Sequence, residues 1–100
     1  MDMSEVTAFE VGVIKLSQAI RIGAKLRPQC VGGMFVDGGS CAIGAAYEGL
    51  TGKTGAGTRR EYLVVVNHYG QAVLDMVWRM NDLEEMTRED IAHHLEARGL

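Results

Sequence analysis

Residues 30–48 read CVGGMFVDGGSCAIGAAYE, and the fold turns on how that stretch is parsed. Met34-Phe35-Val36 is a short apolar run, and the Asp37-Gly38 pair behind it tolerates positive φ, so the pattern predicts a short strand followed by a tight turn. Ser40 then stands where an N-cap is wanted, opening a short helix from Cys41 to Glu48 that Gly49 ends. That helix consists mostly of small residues, Ala42, Gly44, Ala45 and Ala46. With so little surface to bury it needs a larger neighbour, against which Ile43 and Tyr47 are the expected larger contacts.

The neighbour lies upstream. Thr7 with Glu10 makes a capping box, and Val6 with Val11 occupies hydrophobic-staple positions, predicting a long helix from about Ala8 to Leu26. At helical spacing Phe9, Leu16, Ala19, Ile20, Gly23 and Leu26 share one face, while Glu10, Ser17, Gln18, Arg21 and Lys25 share the other. Pro28 pushes Arg27 toward extended geometry and closes the helix. Gly12 and Gly23 fall on the apolar side, where another backbone is expected to come close.

Downstream, Thr51 to Thr58 (TGKTGAGT) has no large apolar residue and reads as a surface loop or the tip of a hairpin. Glu61 to Val66 (EYLVVV) is ambiguous. Three valines favour a short strand pairing with the Met34 region, yet Tyr62, Val66, Tyr69, Val73 and Val77 also keep helical spacing. Gln71 to Met80 is helical, with Val73, Leu74, Val77, Trp78 and Met80 placed to enter a core, and Asn81-Asp82 breaks it. Thr87 with Asp90, and Met86 with Ile91, repeat the cap-and-staple grammar before a last helix, about Arg88 to Ala97, that Gly99 closes. The expectation is one α+β domain over residues 1–100: mostly helical, with a long N-terminal helix, a short β element and C-terminal helices.

Composition narrows the function classes. With 10 Lys and Arg against 13 Asp and Glu, the chain is net −3, which removes the general attraction on which nonspecific nucleic-acid binders depend. One local exception is Lys15, Arg21, Lys25 and Arg27, a basic stretch without an intervening acid. No run of about 18 apolar residues suggests a membrane span. The opening Met1-Asp2-Met3-Ser4-Glu5 is acidic where a secretory leader is basic, and two cysteines suit reduced thiols better than a disulfide scaffold. A cytoplasmic protein is expected.

Several motifs invite chemistry. Gly52-Lys53-Thr54 resembles the tail of a phosphate-binding loop, but the glycine required five residues earlier is Tyr47. Gly38, Gly39, Ser40 and Cys41 lead into a helix start whose N–H groups suit a small anion, with the Cys41 thiolate favoured by the helix dipole. Cys30, Cys41, His68, His93 and His94 lack the short ligand spacing of a metal site. Ser40 is not in a nucleophile elbow, and Glu84-Glu85 and Glu89-Asp90 read as charges around a helix start. The last segment resembles the first helix of a helix-turn-helix, but the chain ends before a recognition helix. Met76, Met80 and Met86 with Trp78 form an apolar stripe suited either to the core, the commoner cause, or to gripping a partner.

Ser40-Cys41-Ala42-Ile43-Gly44-Ala45-Ala46, followed by Met80-Asn81-Asp82 and by Thr87-Arg88-Glu89-Asp90-Ile91-Ala92, resembles a set of short uncharacterised bacterial proteins over about a third of the chain. The resemblance implies a small bacterial domain and no catalysis. Some such chains have a Cys-x-x-Cys before the Asn-Asp segment, which is absent here. The expected function is non-enzymatic, through protein contacts or a homodimer using Met76, Trp78 and Met80, without cofactor or metal. The alternative is a small-ligand, anion-binding or thiol-dependent protein centred on Gly38, Gly39, Ser40 and Cys41.

Overall fold

The computed structural model describes residues 14–100. Its elements are α1 (Leu16–Ala24), β1 (Phe35–Val36), β2 (Gly39–Ser40), α2 (Ala42–Thr51), α3 (Arg59–Tyr69), α4 (Gln71–Trp78), a π-helical turn (Arg79–Leu83) and α5 (Arg88–Glu96). The architecture is a mostly helical α+β domain, with a two-stranded antiparallel hairpin between the first two of these helices.

Helices α1 and α2 run antiparallel and share the closest backbone contact. A Cβ at Gly23 would run into the carbonyl oxygen of Ala45, and one at Gly49 would run into that of Ala19. The approach expected at Gly23 is therefore real. It also reassigns two residues: Gly49 does not end α2 but packs inside it, and the end falls at Gly52, in the left-handed region. Ala45 and Gly49 make the close contact with α1, whereas Ile43 and Tyr47 sit about 200° round the helix from Ala45.

The start of α1 differs from the sequence expectation. Ile14 and Lys15 are not helical; Lys15 is the extended N-cap, and its N–H donates to the Gln18 side chain at 2.7 Å. The Thr7 cap, the Val6 and Val11 staple, Phe9 and Gly12 lie outside the described residues. At the other end the helix stops at Ala24, so Leu26 leaves the apolar face and is 62% exposed. Arg88 of α5 reaches that end and donates to the Ala24 and Arg27 carbonyls at 3.3 and 2.8 Å, satisfying an oxygen at the end of the helix and one in the segment that follows it.

The hairpin forms as read. Asp37 and Gly38, at φ 49 and 80, supply the two left-handed positions of the turn, and Phe35 pairs with Ser40. Residues 28–30 also run beside the second strand, with Ser40 N–H donating to the Pro28 carbonyl and Cys30 N–H to that of Ser40. Residues 61–66, by contrast, are not a strand paired with Met34; they lie inside α3. Thr58 Oγ accepts from Glu61 N–H, and the Glu61 carboxylate gathers the N–H groups of Ala56, Gly57 and Thr58. This reciprocal cap outweighs the few tenths of a kcal/mol that each valine costs in a helix. Burial resists ionisation of Glu61, but those N–H donors prevail and hold its carboxyl below the usual carboxylate range.

Asn81-Asp82 does not break the helix as expected. The helix widens instead into the π turn, which Glu84 N–H closes onto the Arg79 carbonyl at 2.9 Å. Thr87 then caps α5 by accepting from Asp90 N–H at 3.1 Å, and Ile91 is fully buried. The core joins Leu16, Ala19 and Ile20 to Ile43, Leu50, Val65, Leu74, Val77, Met80, Ile91 and Leu95. A second latch holds the 52–58 loop: buried Glu48 accepts from Arg27 at 2.8 Å and from Gly55 N–H at 2.9 Å, and the Arg27 guanidinium lies 5.0 Å from the Phe35 ring centre.

Candidate functional site

The π turn carries a buried polar knot. Leu74, Val77 and Asn81 continue one helical stripe, so a core position is filled by an amide, only 1% exposed. Its oxygen accepts from Ala42 N–H at 3.0 Å and from the Gln29 side chain at 2.8 Å. Its nitrogen donates to the Cys30 carbonyl at 3.0 Å and to the Asp82 carboxylate at 2.8 Å. Asp82 accepts in addition from Gly32 N–H at 3.0 Å. One amide thus fixes the segment before the hairpin, the start of α2 and the end of α4 against each other.

Beside this knot opens a cleft of about 350 Å³, lined by Gly32, Gly33, Met34, Cys41, Ile43, Tyr62, Trp78 and Asp82. Trp78 is 47% exposed, and Val31 and Leu83, next in the chain to Gly32 and Asp82, are 55% and 63% exposed. The Tyr62 hydroxyl accepts from Gln71 at 2.8 Å. The arrangement suits insertion of a side chain or small molecule between aromatic and apolar walls with a carboxylate at one side.

The residues singled out in the sequence are dispersed by this geometry. Gly38 is exposed at the hairpin tip, while Gly39 and Ser40 are buried. Ser40 Oγ accepts from Arg88 at 2.8 Å. Cys41, not Ser40, is the N-cap of α2, and its sulfur accepts from Gly44 N–H at 3.5 Å. The N–H groups of Ser40, Cys41 and Ala42 donate to Pro28, Met34 and Asn81. Burial pushes the Cys41 thiol up to about 11 against the opposing backbone N–H groups, so it is a packed thiol and not the dipole-favoured thiolate that a helix start could offer, and burial raises Cys30 as well. Of the apolar stripe, Met80 is buried in the core, Met76 is half-buried and Trp78 is exposed. Met80 is therefore unavailable to a partner, because it lies on the same inward stripe as Leu74 and Val77.

The basic stretch is largely consumed within the fold: Arg21 pairs with Glu89 and Glu96, and Arg27 with Glu48. Among the described residues buried Arg88 donates its hydrogen bonds to carbonyl and hydroxyl oxygens only, and burial lowers its pKa. No group of three or more His, Cys, Asp or Glu side chains suited to a metal ion occurs among the described residues, and no helix among them is long and apolar enough to cross a membrane. Sequence reasoning missed Asn81, Arg88, Tyr62 and Asp82. For Asn81 a signal existed, a polar residue at a core position of an apolar stripe.

Compared with known proteins, the chain matches no family model, no curated protein and no solved structure.

Proposed function

We propose that this is a small non-enzymatic protein of the bacterial cytoplasm that works by contact with another protein, through the cleft between Tyr62 and Trp78. The observation that carries this reading is Trp78 standing half in solvent at a preformed cleft while the core is otherwise closed around Leu74 and Val77. Large aromatic side chains at a concave, pre-organised surface are where binding energy concentrates in protein interfaces. The knot at Asn81 and Asp82 supports it by holding the cleft walls rigid, which lowers the ordering cost of association. A homodimer through the same face is one form of this reading. A photo-reactive amino acid at position 78 should crosslink in cells to one discrete species, whereas the same group at exposed His68 should not. Equal labelling from both positions, or none from position 78, overturns the proposal; a product of twice the chain mass identifies the partner as a second copy.

A further inference from the structure

The cleft contains a carboxylate that no cation among the described residues pairs with. Both oxygens of Asp82 accept hydrogen bonds, one from the Asn81 amide and one from Gly32 N–H, and both donors are neutral. The ion pairs among the described residues join Arg21 to Glu89 and Glu96 and Arg27 to Glu48, and none includes Asp82. Residues 1–13 contain no Lys, Arg or His. Arg79, on the same turn, lines a separate cleft with Met76, Met80, Glu84 and His94. The Asp82 carboxylate is thus held in place but has no counter-ion among the described residues, and Glu84 and Glu85 follow it in the chain.

Two aromatic side chains line the same cleft. Tyr62 and Trp78 are not stacked on one another; the one close ring pair among the described residues is His68 with Tyr69. Aromatic faces attract cations, and a planar guanidinium both stacks on a ring and presents a fork of donors to a carboxylate. Each Asp82 oxygen has acceptor capacity beyond the bond it already makes.

From this we infer that the occupant of the cleft is an arginine side chain of the partner, its guanidinium paired with Asp82 and flanked by Tyr62 and Trp78. The inference rests on the cleft being the contact site, and it adds the chemistry that the cleft selects. Trp78 is the chain's one tryptophan, so its emission reports the site directly.

The test is a fluorescence titration at constant ionic strength with acetyl-Ala-Arg-Ala-amide and with the same peptide carrying citrulline, the neutral isostere of arginine. The arginine peptide should give a saturable change in Trp78 emission, and citrulline should bind at least tenfold more weakly. Asp82→Asn, which keeps an oxygen for Gly32 N–H, should lower arginine affinity at least tenfold, and Tyr62→Leu should weaken it with the carboxylate intact. Equal binding of the two peptides, or no saturable change with either, overturns the arginine assignment. Either result leaves the contact-site reading to the position-78 crosslink, which stands or falls independently. Should Asp82→Asn prevent folding, the citrulline comparison on the unaltered protein decides alone.

Discussion

Replacing Asn81 with alanine isolates the buried knot. The substitution removes the acceptor of Ala42 N–H, which is buried, and the donor to the Cys30 carbonyl, which is half-buried. Gln29 keeps its bond to the Met86 carbonyl at 2.8 Å, and Asp82 keeps that from Gly32. At about 1 to 3 kcal/mol for each buried group left unpaired, reduced for the half-exposed carbonyl, the loss comes to about 2 to 4 kcal/mol. For a domain of this size that corresponds to a fall of about 10 °C or more in melting midpoint. Urea unfolding followed by both Trp78 emission and far-ultraviolet circular dichroism measures it, with coincident transitions as the check on two-state behaviour. Asn81→Asp provides an internal control. It retains the acceptor but sets a buried carboxylate beside Asp82, which raises the pKa of the new group in the folded state. Its destabilisation should therefore be greatest above that raised pKa and shrink as pH falls through it. An Asn81→Ala midpoint within about 0.5 kcal/mol of the unaltered protein would refute the reasoning, since a change that small is typical of the surface.

Gly23→Ala and Gly49→Ala should each cost at least about 1 to 3 kcal/mol in denaturant titrations, because the added methyl meets a facing backbone carbonyl; unchanged midpoints would mean that α1 and α2 stand further apart. Thr87→Ala should lower stability by about 0.5 to 2 kcal/mol through loss of the α5 cap, and Ile91→Ala by about 2 to 5 kcal/mol by emptying a fully buried site. A larger loss for Thr87 than for Ile91 in the same assay would reverse the assignment of cap and core. The Cys41 thiol, pushed up to about 11, holds its proton in the folded state after the unfolded chain has released it. Stability should thus fall as pH rises from about 9 to 11, and Cys41→Ser should flatten that part of the profile; Tyr69, pushed up to about 12 by burial, contributes its own loss at still higher pH.

What the sequence disclosed was local. The Asp37-Gly38 turn, the Thr87 cap and the close approach at Gly23 each depend on a residue and its immediate neighbours, and each forms as read. The strand expected over residues 61–66 is a helix because Thr58-x-x-Glu61, a capping box as legible as the one at Thr7 and Glu10, outweighs the three valines. Leu26 keeps the apolar periodicity of α1 in sequence, but the helix stops at Ala24, before that periodicity can bury it. Cys41 displaced Ser40 as N-cap because residues 28–30 draw Ser40 into an extended ladder, a partnership that nothing near Ser40 announces. The cleft was beyond local reading altogether: Gly32, Cys41, Tyr62 and Trp78 come from four separate segments that only the tertiary packing brings together.

The Asn81 knot also bears on the order in which the molecule assembles. Its partners lie 39, 51 and 52 residues away along the chain, so closing it requires the segment before the hairpin, α2 and α4 to have met already. The α3 and α4 pair, joined through the single residue Gly70, needs no such long closure. Loop-closure entropy favours that local pair as an early event and leaves the knot for the descent after the barrier. Weakening Asn81 should accordingly steepen escape from the native state while leaving the rate of arrival nearly unchanged, the behaviour of a position whose contacts are absent from the folding transition state. A residue of this kind acts as a bolt rather than a hinge: it sets how long the folded molecule, with its open cleft, persists between excursions.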